Sequence, residues 1–263
     1  MALLEANKIS INFGGLQALK DINLTIQDGQ IKAMIGPNGA GKTTLFNLIN
    51  GNRRPLISSH TVIEGDIYYK GVNLMQKSLH EVARLGIGRT FQQIVLFPEL
   101  SVLENVMVGE HQHLQSNLFS SMLQLPFTRR EEKKSRERAM ELIEFMELKV
   151  SPYEIAKNLP YGIKRLVEIT RALAIQPTLL LLDEPAAGMN LEEQHRLVNL
   201  IRKIRDQNIT IFLVEHNMTV AMGVADEVSV LNFGELLAEG TPEEIQQNET
   251  VIEAYLGRDD EDA

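Results

Sequence analysis

Residues 31–49 read IKAMIGPNGAGKTTLFNLI, and this stretch decides the fold. The nearly continuous apolar run at 31–35 predicts a strand that is buried on both faces. Apolar residues at 45–49 recur at helical spacing and predict a helix that ends at Gly51. The segment between them, GPNGAGKT at 36–43, matches the P-loop pattern in the strand–loop–helix context that this pattern requires. We therefore expect the backbone N–H groups of the loop and the N-terminus of the helix to bind phosphate.

Side chains near this loop and at a second strand end predict how a nucleoside triphosphate would be held. Lys42 would neutralise the β and γ phosphates as a catalytic group, the Thr43 hydroxyl would ligate Mg²⁺, and Thr44 would contact the α or β phosphate. Asp183 and Glu184 follow four leucines. In a P-loop fold such a first carboxylate can hold Mg²⁺ through its water shell, while the second polarises the attacking water. The loop residues predicted to bind nucleotide are Gly36, Pro37, Asn38, Gly39, Ala40, Gly41, Lys42, Thr43 and Thr44.

Composition excludes several classes of protein. The 263 residues carry a formal net charge of −9, with 5% aromatic residues and no Trp, so we do not expect nucleic acid as the main partner. The absence of Cys excludes disulfide frameworks, thiolate zinc sites and a Cys nucleophile, and it is typical of the cytosol. We expect no signal peptide and no spanning helix, because the apolar runs are far shorter than the roughly 20 residues that a bilayer requires. The chain is expected to reach a membrane only by docking onto a membrane protein.

The other patterns predict strands and helices that alternate along the chain. Period-two alternation at 8–13 and 21–26 predicts two antiparallel strands joined by a turn at Gly14-Gly15, and a similar pattern at 62–70 predicts a hairpin. Further predicted elements are a surface loop at 55–60, a helical region at 100–157 with a charged, solvated run at 129–138, buried strands at 178–182 and 209–214, a helix at 191–205, a hairpin at 228–232 and 235–238, a helix at 243–255 and an acidic tail at 258–263. Apolar strands that alternate with helices predict an α/β fold with a mainly parallel sheet, and the antiparallel N-terminal strands lie beside it.

The order of the motifs resembles that of the ABC-transporter ATPases. GPNGAGKT at 36–43 is followed by TFQ at 90–92, LDEP at 182–185 and VEH at 214–216, and the resemblance covers residues 4–256. Other stretches resemble, more narrowly, the larger-type ATP-binding subunit of branched-chain amino acid importers: FGGL at 13–16, GRTFQQ at 88–93, EPAAGMN at 184–190, EGTP at 239–242 and AYLG at 254–257. The segment 111–130 also resembles an extension that these subunits carry. The resemblance implies one ATP-binding domain with a P-loop NTPase (RecA-like) core at 1–95 and 168–240. It also implies an antiparallel N-terminal β-subdomain, an inserted helical subdomain at 96–167, and a C-terminal helix and tail at 241–263.

The resemblance also implies roles for single residues. Phe13 corresponds to the aromatic residue that stacks on adenine, and Gln92 to the glutamine that senses Mg²⁺, as a metal ligand, and the membrane partner. Glu184 corresponds to the general base, and His216 to the histidine that contacts the γ-phosphate. Asn190 stands where the wider family more often has an aspartate.

The stretch Leu159-Pro160-Tyr161-Gly162-Ile163 departs from the family signature Leu-Ser-Gly-Gly-Gln. Gly162 is retained, so a backbone N–H at a helix start can still face a phosphate bound to a second ATPase. Pro160 and Ile163 replace the usual serine and glutamine and predict a weakened half-site. Tyr161 recurs in branched-chain amino acid subunits and favours the narrower assignment.

These features predict a Mg²⁺-dependent ATPase that energises an importer, most simply for branched-chain amino acids. The implied partners are membrane permease subunits, a second ABC ATPase subunit in a heterodimer or homodimer, and indirectly a periplasmic substrate-binding protein, with the chain at the cytoplasmic face of the inner membrane. The permeases are expected to dock near Gln92 and residues 97–108, where Glu99 and Glu104 offer probes. The alternatives are the ATPase of a urea or amide importer or of lipopolysaccharide export, and a soluble ABC ATPase of translation or DNA repair. The last class usually carries two ATPase domains or a long coiled coil, whereas this sequence has one P-loop and no long heptad run.

Overall fold

The structure is a computed structural model that describes residues 1–52, 56, 60–110 and 126–256. The predicted acidic tail, most of the predicted loop at 55–60, and residues 111–125 lie outside the described residues. The described strands are β1 (Ala2–Phe13), β2 (Leu16–Gln27), β3 (Ile31–Ile35), β4 (Thr61–Tyr69), β5 (Val72–Asn73), β6 (Ile87–Arg89), β7 (Leu179–Asp183), β8 (Thr210–Val214), β9 (Glu227–Asn232) and β10 (Glu235–Gly240). The described α-helices are α1 (Lys42–Ile49), α2 (Leu79–Arg84), α3 (Val102–Gly109), α4 (Pro126–Phe145), α5 (Tyr161–Leu173), α6 (Leu191–Arg205), α7 (Met218–Val224), α8 (Pro242–Gln246) and α9 (Glu249–Leu256).

The larger of the two sheets is mainly parallel, as the sequence predicts. Its six strands run in the order β10-β9-β3-β8-β7-β6. All neighbouring pairs from β9 to β6 are parallel, and only the β9–β10 hairpin is antiparallel. The α/β fold class and the mainly parallel sheet are therefore confirmed.

Burial on both faces explains why the central strands have continuous apolar sequences. Every residue of β3, β7 and β8 is buried. In β7, Leu180 and Leu182 belong to one apolar core, which includes residues of α3, α5 and α6, whereas Leu179 and Leu181 belong to a second core, which includes α1. Successive side chains of a strand point to opposite faces, so one run of leucines fills both cores.

The smaller sheet is antiparallel and packs over α1. Its four strands run in the order β2-β1-β4-β5. The predicted turn at Gly14-Gly15 is confirmed, although β1 and β2 each extend to 12 residues and are longer than predicted. The prediction of a hairpin within 62–70 is wrong. Residues 61–69, including Gly65, form a single strand, β4, whose pairing with β1 is irregular near Gly65. The hairpin forms after this strand, between β4 and β5.

The helical predictions are confirmed in part. The region predicted as helical at 100–157 contains α3 and α4, but after Phe145 the chain forms turns and a short 3₁₀ helix at Ala156–Asn158 instead of α-helix. Helix α6 spans the residues predicted for it, and the described part of the charged run at 129–138 is mostly exposed on α4. The single helix predicted at 243–255 is wrong, because the chain forms α8 and α9 with a break at 247–248. The Asn248 side chain accepts a hydrogen bond from the Val251 N–H, which caps a new helix instead of continuing the old one. Among the described helices, none has the length and apolar character to cross a bilayer.

The parallel strands bring the sequence motifs to one edge of the larger sheet. The loop at 36–41 follows β3, residues 90–92 follow β6, Glu184 follows β7, and residues 215–216 follow β8. Since these strands are parallel, their carboxyl ends lie side by side, and this edge is where open α/β sheets bind ligands.

Candidate functional site

The P-loop wraps around its own lysine. The Lys42 Nζ lies 2.5 Å from the carbonyl oxygen of Gly36 and 2.9 Å from that of Pro37, and it donates a hydrogen bond to each. Lys42 is the first residue of α1 and is buried, and no acidic residue occupies the first turn of that helix. The Lys42 ammonium group and the positive end of the α1 dipole therefore lie together in this loop. Both favour the binding of an anion such as phosphate.

Two glycines of the loop are required by both conformation and space. Gly36 has a φ of +154° and Gly41 a φ of +103°. A Cβ atom at Gly36 would lie 2.0 Å from the Leu231 carbonyl oxygen, and one at Gly41 would lie 2.7 Å from the Ala18 carbonyl oxygen. A side chain at either position would push the loop away from β2 or β9, so the pattern predicted from sequence has a packing reason as well as a conformational one.

The loop forms the wall of an open cavity of about 480 Å³. This volume lies within the range of roughly 300–1,000 Å³ that is usual for small-molecule sites. The residues that line it are Phe13, Leu16, Gln17, Ala18, Asn38, Gly39, Ala40, Gly41, Lys42, Thr43, Thr44, Gln92, Glu184 and Phe233. Most of the residues predicted to bind nucleotide thus face one space, which lies between the two sheets.

Three predicted site residues meet at the Glu184 carboxylate. The Gln92 Nε2 donates to Glu184 Oε2 at 3.3 Å, and His216 Nδ1 lies 3.6 Å from the same oxygen. The Glu184 backbone has a φ of +46°, which is uncommon for a non-glycine residue, and its N–H donates to the Val214 carbonyl. Strained backbone of this kind is typical of functional sites, where the surrounding structure enforces it.

Asp183 is paired with an arginine that the sequence analysis did not identify. The Arg89 Nη2 donates to Asp183 Oδ2 at 2.9 Å, and its Nη1 donates to the Asn47 side chain on α1. Burial raises the pKa of the Asp183 carboxyl above its ordinary value, while the charge and hydrogen bond of Arg89 oppose that rise. The other carboxylate oxygen, Oδ1, is buried and has no hydrogen-bond partner among the described residues.

The loop that carries Gln92 is held by a buried ion pair on α5. Arg165 and Glu168 are 0% and 1% exposed and lie 2.8 Å apart. Arg165 donates to the carbonyl oxygens of Phe91 and Gln92, and Glu168 accepts from the N–H groups of Phe91 and Val95. The main chain around Gln92 is therefore attached to the same helix that begins at Tyr161.

Glu215 ties the loop after Glu184 to the turn that carries His216. This side chain is fully buried, and its two oxygens accept hydrogen bonds from the N–H groups of Ala186 and Asn217. Burial raises the pKa of the Glu215 carboxyl, and the two backbone bonds act against this rise. Its position fixes the two segments that meet at the Glu184 carboxylate.

Gly162 lies apart from the cavity, in the first turn of α5. A Cβ atom there would lie 2.4 Å from the Glu193 carboxylate oxygen, and one at Gly188 would lie 2.9 Å from the Tyr161 ring. The predicted signature element thus packs against the loop that follows Glu184. Pro160, at the N-cap position, provides no side-chain hydrogen bond to the helix.

Sequence reasoning missed several residues of this region. Phe233 lines the cavity from the turn between β9 and β10, where an aromatic residue at a turn position before a glycine was the available sequence signal. Arg89, Arg165, Glu168 and Glu215 have no comparable signal, because a charged residue in a helix or beside a strand usually faces solvent.

Comparisons with known proteins show similarity over nearly the whole chain. The sequence profile described as ABC transporter matches residues 19–187, and the profile described as branched-chain amino acid ATP-binding cassette transporter matches residues 235–261. The chain is 43% identical over 256 residues to the high-affinity branched-chain amino acid transport ATP-binding protein LivG of Escherichia coli K12, covering 97% of this chain and 98% of LivG. It is 40% identical, with the same two coverages, to the corresponding protein BraF of Pseudomonas aeruginosa.

Solved structures of ATP-binding cassettes are also similar to this chain over most of its length. The ADP conformation of MJ1267, an ATP-binding cassette of an ABC transporter, is 30% identical with a TM-score of 0.82, over 98% of this chain and 100% of that one. A dimeric post-hydrolysis state of the cassette MJ0796, bound to ADP and Pi, is 25% identical with a TM-score of 0.74, over 91% of this chain and 98% of that one.

Proposed function

The chain belongs to the ABC transporter family, and we propose that it is the ATP-hydrolysing subunit of an importer of branched-chain amino acids. Two proteins named for transport of these amino acids, LivG and BraF, are similar to it over nearly its whole length. The observation that carries the catalytic part of the proposal is the meeting of Gln92 and His216 at one oxygen of Glu184, in the wall of the P-loop cavity.

The nucleotide would enter the cavity with its triphosphate over the P-loop. Lys42, Thr43, Thr44 and the backbone N–H groups at 36–41 would bind the phosphates, because they surround the N-terminus of α1. Phe13 lies at the end of β1 and lines the same cavity, where its ring would stack on the adenine.

Glu184 would act as the general base. A water molecule between this carboxylate and the γ-phosphate would attack phosphorus and give its proton to Glu184, while the bond to the ADP oxygen breaks. Gln92 would hold the carboxylate and the water, and His216 would contact the γ-phosphate from beside the same oxygen. The geometry supports these roles because Gln92 Nε2 and His216 Nδ1 lie 3.3 and 3.6 Å from the same oxygen, Glu184 Oε2.

The donors near Glu184 fit Mg²⁺. Asp183 Oδ1 is buried without a hydrogen-bond partner among the described residues, and Thr43 and Gln92 face the cavity. Mg²⁺ is usually bound by one or two carboxylates together with substrate phosphates and water, which matches this small set of oxygen donors. Thr43, Gln92 and Asp183 would hold the ion, which when bound would neutralise charge on the β and γ phosphates.

The permease subunits would dock on the groove between the Gln92 loop and the segment before α5. The groove is lined by Gln92, Gln93, Ile94, Leu96, Pro98, Ala156, Lys157, Tyr161 and Lys164. Beside it, Val95 and Phe97 are about half exposed, at 53% and 50%. Exposed apolar side chains next to a groove are typical of protein interaction sites. Because the groove includes Gln92, a docked partner would touch the catalytic region directly.

The domain organisation is part of the same proposal. We place the RecA-like core at 1–95 and 168–240, the helical subdomain at 96–167, and a C-terminal region at 241–263. Helices α3 and α4 lie between β6 and β7, which supports an insertion there. Helix α5 extends from Tyr161 to Leu173 across the proposed boundary, so it would connect the two parts rigidly.

The chain contains one P-loop and one signature element, and this number bears on its ATPase partner. One P-loop and one signature element in a chain require a second ATPase subunit, and we favour a different subunit over a second copy. A similar cassette, MJ0796, forms a dimer. The assembly would lie at the cytoplasmic face of the membrane, with a periplasmic substrate-binding protein engaging the permeases from the other side.

Transport by the assembled complex tests the proposal. The chain would be reconstituted in liposomes with candidate permeases, a second ABC ATPase and a binding protein of the same organism, and ATP-dependent uptake of labelled leucine, urea and acetamide would be compared. We expect leucine uptake that is lost when Glu184→Gln is used. Uptake of urea or acetamide alone would assign the chain to a sibling importer, and ATP hydrolysis without any import would point to export or to a soluble ATPase.

A further inference from the structure

Phe233 is an aromatic side chain for which the fold gives no packing reason. It is 77% exposed, and among the described large apolar residues only Met1 is more exposed. Exposed apolar area of this size is unfavourable in water. However, Phe233 lines the same cavity as Phe13 and the P-loop. Its exposure is therefore exposure to the site, not to an unrelated surface.

The turn that carries Phe233 is fixed to the P-loop. The Gly234 N–H donates to the Ala40 carbonyl at 3.0 Å, and the Gly234 carbonyl accepts from the Lys20 N–H at 2.8 Å. A Cβ atom at Gly234 would lie 2.7 Å from the Ala18 carbonyl oxygen, so the turn sits directly against β2. Two backbone hydrogen bonds to different segments give Phe233 a defined position at the cavity.

The local backbone does not favour a phenylalanine here. Phe233 has a φ of +45°, in the left-handed region that Gly, Asn and Asp adopt far more readily than bulky residues. A two-residue hairpin turn such as this one prefers Asn-Gly or Asp-Gly. An aromatic residue that is both strained and exposed, and that faces a cavity, favours a role in ligand contact over a role in packing.

We propose that Phe233 is a second base-contacting residue, which packs against the nucleotide base together with Phe13. This inference rests on the proposed binding of ATP in the cavity. A planar base has two faces, and aromatic side chains stack on either without regard to its hydrogen-bonding edge. Phe233 should therefore favour any nucleoside triphosphate over the bare triphosphate, without selecting adenine over guanine.

Tryptophan reporters test the contact directly, because the chain has no Trp. The variants Phe233→Trp, Phe13→Trp and Tyr153→Trp would each give a protein with one fluorescent indole, and Tyr153 is exposed outside the cavity and the proposed permease groove. We expect ATP and GTP to change the emission of F233W and F13W, inorganic tripolyphosphate to change neither, and no nucleotide to change Y153W. Response of F13W without response of F233W would overturn this inference and leave the nucleotide site intact. Silence of both would overturn the proposed site itself.

Affinity measurements give the energetic test. Base–aromatic stacking predicts that Phe233→Ala weakens binding of a non-hydrolysable ATP analogue about 5- to 150-fold, measured by calorimetry. Binding of tripolyphosphate should stay within about twofold of wild type. Tyr153→Ala, the matched loss of an exposed ring outside the cavity and the groove, should change neither affinity. Phe233→Asn, which relieves the backbone strain, should weaken ATP binding as F233A does. Unchanged ATP affinity would contradict the proposal, and so would an equal loss for ATP and tripolyphosphate, which would mean that Phe233 only supports the loop.

Discussion

Lys42 and Glu184 would act on the same phosphate, but different features of the chain hold them. Lys42 is held by carbonyl groups five and six residues away in its own loop. Glu184 is held by side chains 92 and 32 residues away, on loops that follow other strands. Local sequence therefore accounts for the first residue, and only the packed sheet accounts for the second.

Replacing Lys42 by Ala should weaken binding of a non-hydrolysable ATP analogue about 10- to 150-fold, since hydrogen bonds to charged groups contribute about 1.5–3 kcal/mol. Calorimetric titration would measure the affinity, and the melting temperature would show whether the loop remains folded. Lys157→Ala, an exposed lysine outside the cavity, is the matched control. If K42A binds the analogue as tightly as wild type, the phosphate-loop assignment is wrong.

Replacing Glu184 by Gln should leave ATP bound but lower its hydrolysis by at least roughly 10²-fold, as expected when a general base is lost. The amide has nearly the same shape and keeps an oxygen for Gln92, so the site should stay assembled. Single-turnover hydrolysis and nucleotide retention would be measured together. Glu192→Gln, an exposed carboxylate on α6, should hydrolyse ATP as wild type does. Normal turnover by E184Q would place the base elsewhere.

At the scale of elements, Glu99 and Glu104 have different roles at the start of α3, although they look equivalent in sequence. Glu104 accepts hydrogen bonds from both the N–H and the hydroxyl of Ser101, in a capping box. Glu99 instead makes an exposed ion pair with Lys157 beside the proposed permease groove. The expectation that both residues could probe docking therefore needs a correction. Glu104 supports the helix, and only Glu99 is suitable as a surface probe.

Charge reversal by Glu99→Lys should leave ATP hydrolysis by the isolated chain within about twofold of wild type, because exposed ion pairs contribute only about 0–1 kcal/mol. Leucine uptake by the reconstituted complex should fall, since the variant places a like charge beside Lys157 and Lys164 in the groove. Glu104→Ala is the contrasting variant and should lower the free energy of unfolding by about 1 kcal/mol through loss of the cap. Equal loss of hydrolysis and uptake in E99K would indicate misfolding instead of docking.

At the scale of the whole molecule, the two halves of an ABC site lie in different places. The P-loop cavity is separate from Gly162, which lies in the first turn of α5 next to Glu193. In the proposed function, a complete site would therefore need a second subunit to bring its signature element to this P-loop. Pro160 leaves the start of α5 without a side-chain cap, which supports a weak contribution from this chain to its partner's site.

A heterodimer should be the active form. Steady-state ATP hydrolysis by the chain alone should be low. It should rise when a second ABC ATPase of the same organism, with an intact Leu-Ser-Gly-Gly-Gln signature, is added, because that subunit would supply its signature to this P-loop. Pro160→Ser restores a capping hydroxyl and should raise the activity of the chain alone, with a helix-stability gain of about 1 kcal/mol. Full activity of the chain alone, with no gain from the partner or from P160S, would contradict the heterodimer.

The sequence by itself determined the features that depend on near neighbours. The limits of β3 and α6, the turn at Gly14-Gly15 and the P-loop follow from periodicity, glycine positions and caps, all of which act over a few residues. The errors at 62–70 and 243–255 arose where the local sequence is compatible with two structures. At 62–70, pairing of β4 with β1 selects one continuous strand over a hairpin. At 243–255, capping by Asn248 selects two helices over one.

Tertiary structure alone decided how the site is held together. Arg89 reaches Asp183 across 94 residues of sequence, and Arg165 reaches the carbonyls beside Gln92 across more than 70. Phe233 joins the P-loop cavity only because its turn bonds to Ala40. A buried charge is stable only with partners, and the partners are chosen by which strand ends the sheet order makes adjacent. That order depends on long-range packing of whole strands, which no local pattern in the chain encodes.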